Sequence, residues 1–460
     1  VSLTLRDYQQ PHFTRLLCSL LTNGYAHDGA ETGTGKTFTG AALVKILGGE
    51  TLIVAPLSVL PAWQEALEGF GATNYTLMNY EKVWRRLGEV KPWGAGSFFR
   101  YHKKWDNVVF DEAHRGGSET SLNSKMIIAA KRQGARILSL SATVAENPMQ
   151  LKAWGFVWGL HDLKNWTEFL LKCQCKPGTF GGWTFSSKAH PMILIGLHEE
   201  IYGKGKGSRM IKKEIPGFPK TQLEVRMLGC PDKQLTKLGA ELLAYYNERT
   251  VKAHKIAASV KKAKEDAARK GVEVDPKAAN MDLARVMLIR QALETAKVPL
   301  IGEMIEDALE TSKVAVFCNF NRTIDELLKL AEKRGWKYGV IRGDQTKGTG
   351  SERETVIKDF QANRLDCVFC NIMAGGVAVS LHDPVTQYPR TSLICPTFSG
   401  TDLKQVLGRV QRAEGGFSQQ LLIYFDDSFE GHIARTVKQK LNAIDLINDG
   451  DLQGVFKEAA

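Results

Sequence analysis

Residues 30–37, AETGTGKT, carry the side chains and the backbone freedom that a polyphosphate requires. Small, flexible positions let backbone N–H groups surround phosphate oxygens. Gly33 and Gly35 supply that freedom, and Thr32 and Thr34 complete the candidate nucleotide loop. Lys36 is placed to reach the β and γ phosphates, and the Thr37 hydroxyl to ligate Mg²⁺. Alanine stands where the strict pattern has its first glycine. Residues 38–47, FTGAALVKIL, read as a helix whose N-terminus adds a favourable dipole for an anion. Such a loop needs an acidic partner at the end of a neighbouring apolar strand, and 107–114, NVVFDEAH, provides one. Asp111 suits the Mg²⁺ shell, and Glu112 is the candidate base that orients and deprotonates an attacking water. Alone, this acidic pair would read as a solvated strand end; Lys36 gives it chemistry.

The elements that must position these groups follow an alternating rhythm. Residues 51–56, 107–112 and 136–143 are near-continuous apolar runs, as expected of parallel strands covered on both faces. Amphipathic segments between them give the βαβ order of a doubly wound sheet. The rhythm returns at 314–320, 338–343, 365–371, 391–396 and 420–425. Two α/β units therefore flank a different middle, 149–296, which is rich in Lys, Ala, Trp and Leu and predicts a helical insertion. Within it 252–270 reads as a long basic helix, broken at Gly271 and Pro276 before a second helix over 281–297. The expected domains are 1–148, 149–296 and 297–460. A chain of 460 residues is too long for one ordinary core.

Composition narrows the class. No apolar run is long enough for a membrane span, and no signal-peptide core opens the chain. Cys367 and Cys370 are spaced as C-x-x-C but fall on opposite faces of an expected strand, so the eight cysteines read as buried thiols of an intracellular, cytoplasmic protein. The net charge of +11 is concentrated: 82–105 hold seven Lys/Arg against one acid, 201–220 six against one, and 251–290 ten against five. Three basic segments on a balanced body suit a polyanion, although any one of them alone would pass for a solvated face. Residues 91–105 interleave aromatics with cations and fit a single-strand surface and an ordinary solvated loop equally. Trp154, Trp158 and Trp166, near helical spacing, read as core packing of the helical insertion rather than as base-stacking residues.

The order of short motifs resembles superfamily 2 helicases and translocases over nearly the whole chain. Tyr8-Gln9 is similar to the adenine-reading motif, 55–63 to a strand end that touches a nucleic-acid backbone, and Asp111–His114 and Ser141–Thr143 to the hydrolysis and coupling motifs. Residues 318–320, 374–383 and 405–412 (QVLGRVQR) resemble motifs IV, V and VI. The resemblance implies two RecA-like doubly wound parallel-sheet lobes (an α/β fold) with a helical insertion, ATP and Mg²⁺ as cofactors, and Gly376 in the nucleotide set. It places His114, Ser141 and Thr143 in coupling the ATP site to the second lobe, and Gln405, Arg409 and Arg412 at the γ-phosphate. Charge developing there needs cations that arrive when the lobes close, so arginines on the second lobe make hydrolysis depend on lobe position.

Residues 77–83, 209–225 and 341–361 further resemble the Snf-type branch, whose members usually track on duplex DNA. The phosphate loop and the Ser-Ala-Thr motif depart from that branch, and the 380–416 stretch is similar to compact phage and viral helicases. The expected function is a DNA-stimulated ATPase that translocates on duplex or branched DNA with little regard to sequence and remodels it or displaces bound protein. An RNA helicase and a nucleotide-gated DNA scaffold are the alternatives.

Overall fold

The computed structural model describes residues 3–94, 96–178, 182–186, 190–241, 243–244, 279–343, 350–375 and 379–449. Ten strands precede residue 209: β1 (Tyr25–Asp28), β2 (Thr51–Ala55), β3 (Tyr75–Asn79), β4 (Gly88–Trp93), β5 (Gly96–Tyr101), β6 (Asn107–Asp111), β7 (Arg136–Leu140), β8 (Lys176–Pro177), β9 (Trp183–Thr184) and β10 (Gly207–Ser208). Six of them form one parallel sheet in the order β10-β1-β7-β6-β2-β3. The remaining strands, β11 (Thr221–Leu228), β12 (Lys313–Cys318), β13 (Tyr338–Ile341), β14 (Cys367–Asn371), β15 (Arg390–Ile394) and β16 (Ser418–Phe425), form a second parallel sheet in the order β11-β16-β15-β12-β14-β13.

Both sheets are doubly wound because their strands are apolar on both faces. In β2, Leu52 and Val54 join one buried cluster while Ile53 and Ala55 join the cluster on the other side. In β12, Ala315 and Phe317 face one way and Val314, Val316 and Cys318 the other. The period of two along a strand places alternate side chains on opposite faces, so each run must find helices on both sides. Cys367 and Cys370 follow the same rule, fully buried on opposite faces of β14.

The middle is divided between the sheets. β10 adds an edge to the first sheet beside β1, and β11 adds an edge to the second beside β16. The helices Lys152–Val157, Trp166–Lys172 and Pro191–His198 pack into the first lobe's core, where Trp154 and Trp158 are fully buried with ring centroids 5.8 Å apart. Core packing of these tryptophans is as expected, but the core they fill is that of lobe 1. The helix Ala279–Ala296 and the hairpin β4–β5 are present, whereas the basic stretch 252–270 lies outside the described residues. Among the described residues no helix is long and apolar enough to cross a membrane.

The last helix, Phe429–Asp449, belongs to both halves. Phe429, Ile433, Val437, Leu441 and Ile444 pack in the second lobe, while Ala443, Leu446 and Ile447 enter the first lobe's core with Leu194, Leu197 and Ile201. Its apolar surface therefore wraps around the helix and holds two bodies at once.

Candidate active site

The phosphate-type loop begins where β1 ends. Three backbone bonds align β1 and the root of the loop with β10 and its flanking residues: His27, Gly29 and Glu31 donate to the carbonyls of Lys206, Ser208 and Met210, each at 3.0 Å. Gly33 (φ 87°) and Gly35 (φ 93°) occupy the left-handed region that a side chain disfavours, and Gly35 caps the helix Lys36–Leu47. Lys36 Nζ donates to the carbonyls of Ala30 (2.8 Å) and Glu31 (3.0 Å). Burial pushes this ammonium down, opposed by the carboxylates of Asp28, Glu112 and Asp111. Thr34 Oγ1 donates to the Glu31 carbonyl at 2.8 Å. Gln9 lies over the loop, its Nε2 donating to Thr34 O (3.2 Å) and Gly35 O (3.4 Å) while its Oε1 accepts from Arg6 N at 3.1 Å. Tyr8 packs with Ala30, Met210, Ile215 and Phe218 into a small apolar wall beside the loop. Thr37 opens the helix one residue after Lys36.

The acidic pair sits at the end of β6. Trp63 Nε1 donates to Asp111 Oδ2 at 2.8 Å, and the Glu112 N–H to Asp111 Oδ1 at 2.8 Å. Glu112 adopts φ 53°, which turns its side chain out of the strand direction at the cost of local strain. Burial, with the Glu112 carboxylate close by, pushes Asp111 up to about 6. Each Asp111 oxygen accepts one bond and keeps a lone pair. A crowded carboxylate with spare oxygen lone pairs suits a hard divalent ion such as Mg²⁺, for which the Thr37 hydroxyl offers chemistry of the same type.

The second lobe closes over these groups with the helix Gly400–Leu407 and the residues that follow it. Gln405 Nε2 lies 3.1 Å from His114 Nε2 and donates to Glu112 Oε2 at 3.4 Å. His114 Nδ1 is in turn 3.3 Å from Ser141 Oγ, which donates to the Thr143 carbonyl at 2.7 Å. Burial pushes His114 down, opposed by the Glu112 carboxylate. Arg409 is only 3% exposed; burial pushes it down to about 10, against the pull of Glu112. Arg412 donates from Nε to Ser380 Oγ (3.1 Å) and from Nη1 to Gly408 O (3.0 Å), and burial with Arg409 beside it pushes it down to about 9. A Cβ on Gly33 would stand 2.8 Å from the Gln411 carbonyl and 3.0 Å from the Arg412 guanidinium, so the arginine segment rests on the phosphate-type loop. The geometry thus brings together Gln9, Lys36, Asp111, Glu112, His114, Ser141, Thr143, Gln405, Arg409 and Arg412. Gly376 lies outside the described residues.

Several residues of the site carried no sequence signal. His12 pairs with Asp28 (Nε2 to Oδ1, 3.0 Å) and with Ser208 Oγ (2.8 Å), and Asp28 Oδ1 also accepts from Ala30 N at 2.9 Å. This buried trio pins the root of the loop from three distant segments. Lys212 donates from Nζ to Gln411 Oε1 (2.8 Å) and from its backbone N to Glu31 Oε2 (2.6 Å), and burial pushes it down to about 8. It lies inside the 209–225 stretch, whose resemblance to the Snf-type branch implies no role for it. Elsewhere, Glu294, Cys318 and Cys395 bring possible ligand atoms within 4.8 Å of one another. The Glu294 carboxylate, however, already accepts from Asn319 N, Asn319 Nδ2 and Phe320 N, just ahead of the helix Asn321–Arg334. That accounts for its burial without an ion.

Residues 296–414 match the helicase conserved C-terminal domain. A protein of Acanthamoeba polyphaga mimivirus named as an ATP-dependent RNA helicase is 28% identical, over 98% of this chain and 85% of its own length. Among solved structures, Saccharomyces cerevisiae Dbp5 bound to RNA and ADP–BeF₃ superimposes with a TM-score of 0.50 at 11% identity, covering 93% of this chain and 86% of that one. The Sulfolobus solfataricus SWI2/SNF2 ATPase core in complex with dsDNA gives 0.39 at 17% identity, covering 92% and 88%. The fold is the two-lobed, RecA-like α/β fold of helicases. Both the family model and the viral relative are thus named as helicases.

Proposed function

We propose that this chain hydrolyses ATP between its two lobes and uses the lobe movement to step along nucleic acid. The observation that carries the reading is the seating of the second lobe's Gln405–Arg412 segment on the first lobe, with Arg412 against the Gly33 turn and Gln405 on Glu112. Cations aimed at a γ-phosphate from a separate body make turnover conditional on lobe position. Lys36 and the loop N–H groups bind the phosphates, Gln9 and Tyr8 contact the base, and Glu112 orients the attacking water and takes its proton. Asp111 and Thr37 hold Mg²⁺, which when bound neutralises phosphate charge. His114, linked to Gln405 on one side and Ser141 on the other, couples hydrolysis to lobe position.

DNA is the favoured track. The 209–225 stretch resembles the Snf-type branch, and three basic segments suit a phosphate backbone read without regard to sequence. On this reading the protein tracks on duplex or branched DNA and remodels junctions or clears bound protein. The name of the mimiviral relative favours a second reading, an RNA helicase. Steady-state ATPase without nucleic acid, then with single-stranded DNA, duplex DNA, a four-way junction and RNA, separates them. Strongest stimulation by duplex or junction DNA is expected. Stimulation by RNA alone would move the protein to the second reading, and a rate indistinguishable from buffer in every case would leave a nucleotide-gated scaffold.

A further inference from the structure

The Ser141-Ala142-Thr143 tripeptide is held by lobe 2 from two sides. On the cleft side the path runs from Gln405 to His114 to Ser141. On the far side the last turn of the helix Phe429–Asp449 reaches the same tripeptide: Asn448, 1% exposed, donates from Nδ2 to the Ala142 carbonyl at 2.9 Å. Arg209, on the strand-like segment after β10, stands between them. Its Nε donates to Asp449 Oδ1 at 2.6 Å and its Nη2 to Asp449 Oδ2 at 3.2 Å, a two-pronged grip. Its Nη1 donates to the carbonyls of Gly29, at the root of the phosphate-type loop, and of Ala142. One planar guanidinium therefore ties the loop root, the coupling tripeptide and the end of a lobe 2 helix. A lysine cannot reproduce that, because an ammonium lacks the fixed fork.

The surroundings show that this helix end is seated by lobe 2 and by lobe 1 together. Ala443, Leu446 and Ile447 are buried in the first lobe's core, the Ile447 carbonyl lies 3.2 Å from His198 Nδ1, and Lys404 pairs with Asp445 across the second lobe. Lys440 pairs with Glu146 at 3.5 Å, and Glu146 Oε1 accepts from Thr401 N at 3.1 Å, five residues beyond Ser141 in the chain. Any rotation of lobe 2 that lifts this helix must pull on Asp449 and Asn448, and hence on Arg209 and Ala142.

We infer that Arg209 is a positioning residue that transmits the seat of the last helix to the phosphate-type loop and the coupling tripeptide, so that the Arg209–Asp449 grip sets how strongly nucleic acid stimulates ATP turnover. The inference rests on the ATPase reading above. It adds a second line of coupling to the one through Gln405 and His114.

The test uses the full chain, with Arg209→Lys, Asp449→Asn, Asn448→Ala and the Arg209→Lys/Asp449→Asn double variant. For each, kcat and the KM for ATP are measured with and without saturating nucleic acid, of whichever kind stimulates the wild type, together with Tm. Asp449→Asn and Arg209→Lys should each lower the ratio of stimulated to unstimulated kcat about fivefold or more, the scale of a coupling between sites. KM for ATP should stay within about twofold, because no ATP-contacting group is removed. The double variant should be no worse than Arg209→Lys alone, since both act through one contact. Asn448→Ala should lower the ratio in the same direction. A stimulation ratio unchanged in both single variants, with only Tm lowered, would make the contact a staple and overturn the inference. Fully additive losses would overturn it as well. If Arg209→Lys does not fold, Asp449→Asn, at a partly exposed carboxylate, decides alone. A wild type without nucleic-acid-stimulated turnover would instead refute the ATPase reading on which the inference stands.

Discussion

Asp111 makes opposite demands on stability and on function, and Asp111→Asn should separate them. Burial and the Glu112 carboxylate push Asp111 from 3.8 up to about 6, and the side chain is 7% exposed. A rise of that size puts the penalty of ionising Asp111 in the fold on the order of a few kcal/mol. The sign follows from the direction of the shift. A group whose folded value is raised contributes stability that is fully present below its unfolded value and lost as pH rises through the folded value. Wild type is therefore penalised at neutral pH and not below about pH 4. Asparagine removes the charge but turns an N–H₂ toward one of two donors, Trp63 Nε1 or Glu112 N, a loss of about 1 kcal/mol. The net gain is about 1–2 kcal/mol, or several degrees in Tm for a lobe of this size. The assay is differential scanning calorimetry in EDTA without nucleotide, at pH 7.5 and pH 4. Asp111→Asn should melt higher at pH 7.5, with the advantage gone or reversed at pH 4. Adding Mg²⁺ and ADP should raise Tm for the wild type more than for the variant, because binding to the folded state stabilises it, and ATPase activity should fall about 10²-fold or more. An equal or lower Tm for the variant at pH 7.5, or the same difference at both pH values, would refute the crowded-carboxylate account.

Further outcomes follow from the same geometry. Arg412→Ala should abolish turnover, at a cost of about 10²-fold or more in rate, while ATP affinity by equilibrium fluorescence titration stays within a few-fold; Lys36→Ala should weaken ATP binding itself, and equal losses of binding in both would deny the second lobe its place in the site. Lys297 and Glu430 are a fully buried pair at 2.6 Å, with Glu430 also accepting from Phe425 N at 2.9 Å. Lys297→Met should therefore cost about 3–5 kcal/mol by urea unfolding, since it leaves a buried carboxylate alone; a loss under about 1 kcal/mol would show that water reaches it. Deleting 252–270, which holds seven Lys/Arg, should weaken nucleic-acid binding and flatten its salt dependence by up to about 0.9 log unit per lost phosphate contact, leaving unstimulated ATPase intact. Unchanged binding at low salt would assign that segment to solvent or a protein partner.

The legible part of the site is the part whose chemistry is contiguous. The phosphate-type loop, the acidic end of β6 and the arginine segment each fit within a dozen residues, because a loop of N–H groups or a strand end is a local object. The central strands of both sheets were legible for a related reason: double-sided burial demands apolar runs such as TLIVA and NVVF, which β1 (YAHD) and β3 (YTLMN, only half-buried) do not offer. β10 was not, because a two-residue strand has no period to detect. β11, TQLEVRML, does alternate apolar with polar, yet it lies in a stretch whose basic and helical composition masked the signal. That is why the middle reads as one insertion in the sequence while its described parts edge both sheets. His12, Asp28 and Ser208 meet from three segments up to 196 positions apart, and Arg209 meets Asp449 across 240. No local pattern encodes such convergence; it exists only once the sheet order places β10 beside β1.

The electrostatics of the cleft argue for turnover over passive binding. Burial pushes Lys36, Arg409 and Arg412 down and Asp111 up, so buried groups of both signs lie in one crevice. A single simple ion would relieve one sign and aggravate the other. A polyphosphate carrying a divalent cation brings negative charge to the cations and positive charge to the carboxylates together, so it matches both halves of the imbalance. The cations are also divided between two bodies, Lys36 on one lobe and the arginines on the other. A scaffold that merely held nucleotide would gain affinity equally from cations on one lobe. Splitting them makes the most favourable electrostatics available only at one lobe position, and that is useful where charge on the bound group changes during a reaction.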